Sequence, residues 1–310
     1  MCEWCSKNNF CKKCLTIQRI HTVQNLNIAY QNVRGLNTKV STFYPNIVDC
    51  DFDVILLVET WLRDDVLSSE YFSPNYSVHR SYNGRRGRGL ATAVLIQYSS
   101  EMIVNKSPID DIGLLIVKVK AKEQWLNFIN IYFPPETNIT CYETVLDYIE
   151  NTIDLSQYTL VTGDFNIPYF YEVFYSATPC CSVKPISDLL SNFMNFNALK
   201  QENRVRNHYG KLLDLVMSTK DCHCIVSKNE FPFVVEDKHH PALCIKLSFS
   251  TKTTPSFIAS GNDISNFRYN FRKADLQILY GCIGELSWDE FMKFDDVELA
   301  TSYFYEKLYE

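Results

Sequence analysis

The chain has 310 residues, 46% of them hydrophobic and 14% aromatic, with a formal net charge of −6. That length supports one large domain or two modest ones around a real core, and the composition excludes a disordered or collagen-like chain. The acidic balance excludes a uniformly basic nucleic-acid coat, but leaves room for a basic patch beside an acidic site.

Composition divides the chain into three regions. Residues 1–24 carry Cys2, Cys5, Cys11 and Cys14 among scattered lysines. Their pairwise spacing is that of a four-cysteine zinc site, although the connector is short. Zn²⁺ binding, or a remnant of an upstream finger, is the functional reading of this segment. Without an apolar core it does not read as a secretion signal, so an intracellular protein with reduced cysteines is expected.

Residues 25–248 alternate short apolar runs with helical patterns. Strands are predicted at 26–30, 53–58, 90–98, 112–120, 125–132, 158–162, 212–217 and 242–249. Between residues 132 and 158 the spacing predicts a helix that buries Tyr142, Val145, Leu146, Ile149 and Ile153, with Thr140 and Glu143 as its capping box. A second helix is predicted at 187–196, with Leu189, Leu190, Phe193 and Met194 inward. Many strands with interspersed helices and few hairpin signals predict a layered α/β sandwich. No apolar run approaches the ~18 residues of a membrane span. Residues 249–310 open on a Ser/Thr/Pro stretch and then turn helical.

Polar residues stand at the ends of these strands. Asn32-Val33-Arg34-Gly35 follows the first strand and Glu59-Thr60-Trp61-Leu62 the second. Asn130-Ile131-Tyr132 closes the fifth. Gly163-Asp164-Phe165-Asn166 follows the sixth, and Leu213-Asp214-Leu215-Val216 and Asp237-Lys238-His239-His240-Pro241 come later. Groups so placed gather along one rim, where open α/β sheets bind ligands. Singly each has a bland reading, such as a turn or a satisfied core group. A carboxylate closing the apolar run 54–58, however, needs a partner or an ion.

As an ordered set, these motifs resemble the endonuclease/exonuclease/phosphatase superfamily, and within it the endonuclease domain of non-LTR, LINE-type retrotransposons. The resemblance implies a four-layer α-β-β-α sandwich of two mixed, mostly antiparallel sheets. It also implies a divalent-metal endonuclease that cuts one DNA strand and leaves a 3′-hydroxyl to prime reverse transcription. Glu59 would ligate Mg²⁺ (Mn²⁺ being an alternative) with Asn32 beside it. Asp164 would activate water, and Asn166 and Tyr132 would hold the phosphate. His240 would stabilise its charge or act in proton transfer, and Asp214 would support the site from the sheet edge. The family has Asp before its catalytic His, where this chain has His239, so Asp237 is the expected partner of His240. The stretch Phe271-Arg272-Lys273-Ala274-Asp275 with Trp288 looks like the approach to a reverse transcriptase. That implies the polymerase region and element RNA as partners, a nuclear location, and a chain that is a fragment or truncated copy.

Arg85, Arg86 and Arg88, near Arg80 and Tyr82, read either as a grip on DNA phosphates or as a solvated hairpin tip. Two alternatives stay open. One is another phosphodiesterase on this scaffold: a repair nuclease, a deadenylase, or an inositol or sphingolipid phosphodiesterase. The other is a catalytically dead nucleic-acid-binding module.

Overall fold

The computed structural model of the chain describes residues 22–82, 88–170 and 184–251, with residues 299 and 303. The chain divides into two compact units, Met1–Ser256 and Phe257–Glu310, and everything below concerns the first. The cysteines at 2, 5, 11 and 14, Arg85, Arg86 and the 271–288 tail lie outside the described residues.

Strands β1 (Thr22–Asn32), β2 (Val54–Val58), β3 (Tyr76–Ser81), β4 (Leu90–Leu95) and β5 (Ser99–Val104) come first, with helix α1 (Val40–Val48) after β1. Then follow β6 (Gly113–Ala121), β7 (Gln124–Tyr132), α2 (Ile139–Thr152), β8 (Thr159–Asp164), α3 (Lys184–Phe196), β9 (Leu199–Gln201), β10 (Asp214–Thr219), β11 (His223–Lys228) and β12 (Leu243–Thr251). They build two six-stranded sheets, ordered β11-β12-β1-β2-β4-β3 and β5-β6-β7-β8-β10-β9. In each sheet one central pair is parallel, β1 with β2 and β7 with β8, and the other pairs are antiparallel.

Alternation along the strands makes the layers, because successive side chains point to opposite faces. Leu26, Ile28, Val54 and Leu56 of the first sheet meet Val117, Phe128, Leu160 and Val216 of the second, forming the middle core. On the outer face of the first sheet, Ala29, Ile55 and Leu57 pack under Phe43 and Ile47 of α1 and under Phe233. On the outer face of the second, Ile129, Val161 and Met217 pack under α2 and α3. The result is the α-β-β-α sandwich expected from the sequence.

The predicted helix faces are buried: Tyr142, Val145, Leu146 and Ile149 on α2, Leu189, Leu190, Phe193 and Met194 on α3. The cap of α2 differs from the expectation. Asn138, not Thr140, is the N-cap, its side chain accepting the Cys141 N–H. Asn competes for this position as well as Thr does, and the helix starts one residue later, at Ile139. The domain also extends past the expected 25–248, because the end of β12 pairs with the start of β1 as far as Thr22 and Thr251. The first part of the Ser/Thr/Pro stretch is therefore strand. No helix among the described residues is long and apolar enough to cross a membrane.

Candidate metal and phosphate site

The same alternation that builds the middle core carries polar groups to its rim. On β1, Asn32 continues the face of Ile28 and Tyr30. On β8, Asp164 continues that of Leu160, and on β10 Asp214 shares the face of Val216. Tyr132 lies on the same layer at the end of β7. Parallel pairing aligns the ends: Asn32 sits opposite Val58, the residue before Glu59, and Tyr132 opposite Asp164. Asp214 is opposite Asp164 across the antiparallel pair. Positions far apart in sequence thus converge by register alone.

Side-chain contacts join them. The Asn32 amide Nδ2 donates to Glu59 Oε1 at 3.0 Å and to Asp164 Oδ2 at 3.2 Å. The Asp164 Oδ1 accepts the Asn166 backbone N–H at 3.2 Å, while the Asn166 side chain donates to the Phe133 carbonyl at 2.8 Å. His240 places Nδ1 3.0 Å from Asp214 Oδ2 and Nε2 3.6 Å from Asp164 Oδ2. Tyr30 donates its hydroxyl to Asp214 Oδ1 at 2.7 Å.

Two placements correct the sequence reading. Asp237 does not orient His240: its carboxylate binds Arg34 at 2.6 Å and accepts the His239 N–H, and Asp214 takes the imidazole. The reason is topological, since β10 pairs with β8 and sets Asp214 opposite Asp164 beside the ring, whereas the Asp237 carboxylate is taken by Arg34 and the His239 N–H. Arg88 is not free to grip phosphate. It is largely buried, paired with Asp111 at 2.8 Å, and its carbonyl accepts the Trp61 N–H, so it braces the turn after β2. Tyr30 is a further site residue that the sequence reading misses. Its one signal is a hydroxyl on the inward face of an apolar strand, two residues before Asn32.

The backbone is held in uncommon conformations here. Arg34, Glu59, Trp61 and Asn166 all have positive φ, between 44° and 55°. Non-glycine residues seldom adopt this region, and such strain persists where the surroundings over-determine it. At Glu59 the carbonyl is gripped by the Gly35 N–H at 2.7 Å, and the Thr60 N–H is held by the Gly89 carbonyl.

The electrostatics are lopsided. Asp164 is fully buried, and burial pushes its carboxyl well above the usual range. The His240 charge opposes this, and Asp214 and Glu59 add to it. Burial would lower the His240 pKa, but the Asp214 carboxylate, by charge and hydrogen bond, and then Asp164 and Glu59, raise it to about 10. Burial followed by Glu59 and Asp164 raises the Tyr132 phenol, so that it stays neutral and able to donate.

Three carboxylates against one imidazolium leave a net negative pocket, which a hard dication would neutralise. Glu59, Asp164 and His240 present ligand atoms within 4.8 Å of one another, forming a candidate metal site. Oxygen donors from Glu59 and Asp164 suit the ion. His240 already faces a carboxylate with each nitrogen, so its charge acts beside the ion rather than as a ligand. Asn32 turns its amide nitrogen to both carboxylates and its oxygen to the Arg34 N–H, so it holds the ligands in place. A separate cavity of about 760 Å³, lined by Asp49, Cys50, Asp51, Glu230 and Phe231 among others, shares none of these residues.

Residues 27–180 match the endonuclease/exonuclease/phosphatase family. The chain carries a domain of this family. Its members are hydrolases, mostly phosphodiesterases and nucleases, and generally depend on a divalent metal. Among solved structures, the endonuclease/exonuclease/phosphatase fold is shared with the endonuclease domain of TRAS1, a telomere-specific non-LTR retrotransposon. That match has 15% identity and a TM-score of 0.54, covering 72% of this chain and 98% of that one. The human Nocturnin catalytic domain, with bound sulfate, matches at 13% identity and a TM-score of 0.52, covering 74% and 98%. At such identities the likeness is one of fold. No curated protein matches the sequence.

Proposed function

We propose that this endonuclease/exonuclease/phosphatase domain hydrolyses a phosphodiester in one strand of DNA, with Mg²⁺, and leaves a 3′-hydroxyl. The observation that carries the reading is the meeting of Tyr30, Asp214 and His240 with Glu59, Asn32 and Asp164 in one buried, net-negative pocket. Uncatalysed, such hydrolysis faces a barrier that enzymes lower by ~20 kcal/mol, and a cation with aligned hydrogen-bond donors is the known means.

Glu59 and Asp164 would hold the ion, whose chemistry is charge neutralisation at the phosphate. Asp164, 3.2 Å from the Asn32 amide and 3.6 Å from His240 Nε2, would orient the attacking water and take its proton. The water oxygen bonds to phosphorus, the P–O3′ bond breaks, and the leaving O3′ takes a proton from solvent. His240, kept charged by Asp214, donates its Nε2 proton as a hydrogen bond to a phosphate oxygen. Tyr132 donates a second. Asn166 steadies Asp164 through its backbone N–H, and its carboxamide would reach phosphate only on leaving the Phe133 carbonyl.

The motifs at Asn32 to Leu36, Glu59 to Leu62 and Leu212 to Val216 support the retrotransposon branch of the family. There the new 3′ end would be extended by a linked reverse transcriptase.

Supercoiled plasmid incubated with the full chain and Mg²⁺ tests the reading. Nicked circles should accumulate and should vanish with EDTA or in Asp164→Ala. Nicking that persists unchanged in Asp164→Ala would sink the mechanism.

A further inference from the structure

Beside the metal cluster lies a second cavity, of about 420 Å³, which none of the chemistry above employs. Its size is within the ~300–1,000 Å³ of ordinary small-molecule sites. Arg34, Gly35, Trp61, Arg63 and Tyr82 line it. We infer that this cavity receives one nucleobase of the cut strand, stacked on Trp61 and Tyr82, with Arg34 and Arg63 at the adjoining phosphates. The inference rests on the nuclease reading and adds a substrate-positioning subsite to it.

The position follows from two short connections. Arg34 lies two residues after Asn32, and Trp61 two residues after Glu59, so both cavity walls are anchored in the metal cluster. A strand whose phosphate sits at Glu59 and Asp164 and that continues toward Arg34 and Trp61 would set a neighbouring nucleotide against these walls. The Trp61 ring is fixed rather than floppy. A Cβ on Gly35 would lie 2.5 Å from its Cε3 and 2.9 Å from its Cδ2, so the ring packs directly on the glycine backbone. Trp61 itself has φ of 55°, pinned by its N–H to the Arg88 carbonyl at 2.7 Å. A bulky residue held in this region marks a position where the side-chain direction matters more than local ease.

The chemistry of the walls selects a nucleotide. Two aromatic rings offer stacking to any base, and two guanidinium groups offer bidentate contacts to phosphate. Arg63 pairs with Asp65 at 3.1 Å, with both side chains more than 60% exposed. Such a pair is weak, so a phosphate can replace Asp65 at little cost. Arg34 pairs with Asp237 at 2.6 Å and keeps its side chain about half exposed, at 49%. A purely apolar ligand would make no use of either guanidinium.

The test is a double-mutant cycle on binding, run with the full chain and fluorescent oligonucleotides in single- and double-stranded form. A baseless tetrahydrofuran spacer is moved one position at a time through the sites flanking the cleavage point. Tyr82→Ala should weaken binding on the order of ten-fold, as the loss of one stacked base does. Tyr82→Phe should stay within about two-fold of wild type. At one spacer position wild type should lose a similar factor while Tyr82→Ala loses nothing further. Trp61→Phe should show the same coupling, more weakly. If the losses multiply independently at every position, the subsite does not exist, whatever the cleavage assay shows. If binding couples but no oligonucleotide is cut with Mg²⁺, the subsite stands and the hydrolase reading falls.

Discussion

Tyr30 and Asp214, 184 residues apart, share a hydrogen bond of 2.7 Å on the side of the carboxylate that His240 does not occupy alone. The phenol supplies a fixed donor, so Asp214 can turn only one way toward the imidazole. Tyr30→Phe should therefore loosen His240 without emptying the site. We expect ~1 kcal/mol of lost stability and a roughly ten-fold slower cleavage, with KM unchanged. Asp214→Asn should cost on the order of 10²–10³-fold, because it removes the charge that keeps His240 protonated. Plasmid nicking rates and denaturant melts measure both. Equal activity in Asp214→Asn and wild type would remove His240 from the chemistry.

The carboxylate cluster is costly in the absence of a cation. Asp164→Asn should make the metal-free chain more stable, by about 1 kcal/mol or more, while abolishing activity. For wild type, added Mg²⁺ should raise the melting temperature in proportion to the logarithm of its concentration, because only the folded state holds the site. Glu59→Gln should flatten that response. A wild-type melting curve indifferent to Mg²⁺ would contradict the assignment of Glu59 and Asp164 as ligands.

Gly163 and Gly35 are irreplaceable for different reasons. A Cβ at Gly163 would meet the Ile131 carbonyl oxygen at 2.1 Å, a backbone atom that cannot step aside. Gly163→Ala should force β7 and β8 apart and destabilise the fold by ~1–3 kcal/mol or more. Gly35, with φ of 86°, would suffer both backbone strain and a clash with the Trp61 ring. Gly35→Ala should leave a folded chain with impaired oligonucleotide binding. Circular dichroism melts alongside binding assays separate the two outcomes.

The Arg34–Asp237 contact gives a pH signature. Burial would push the Asp237 carboxyl up, but the His239 N–H and the Arg34 guanidinium outweigh it and hold the group below its ordinary range. A depressed folded pKa means that this stabilisation is present above the unfolded value of about 3.9. It is lost as pH falls through the folded value. Wild type should exceed Asp237→Asn in stability at pH 7, with the gap closing as pH falls below the unfolded value of about 3.9. A gap that stays constant across this range would show that the ion pair contributes nothing.

How much is legible in the sequence follows a physical line. The strands predicted from apolar runs are the interior strands of the two sheets. Strands such as β2 and β8 are covered on both faces, and β2 reads as a continuous apolar run, whereas β12 is legible from alternation, with Lys246 exposed between buried Ile245 and Leu247. The edge strands β3, β5, β9 and β11 escape that reading. The patterns of β5 and β11 are largely exposed, as at Met102 and Ile225, and β9 is three residues long. Helix α1 is hidden by Pro45 and by β-branched residues such as Val40 and Thr42, poor helix formers that packing under Phe43 and Ile47 overrides.

By itself, the sequence determined the layered architecture, the faces of two helices, and a set of polar residues waiting at strand ends, because periodicity and punctuation are local properties of a chain. The tertiary structure alone decided which of those residues touch. Strand order put Asp214 rather than Asp237 against His240, turned Tyr30 from a core aromatic into a hydrogen-bond donor, and committed Arg88 to Asp111. Pairing between strands distant in the chain is set by the closure of the whole sandwich, and no local pattern encodes it.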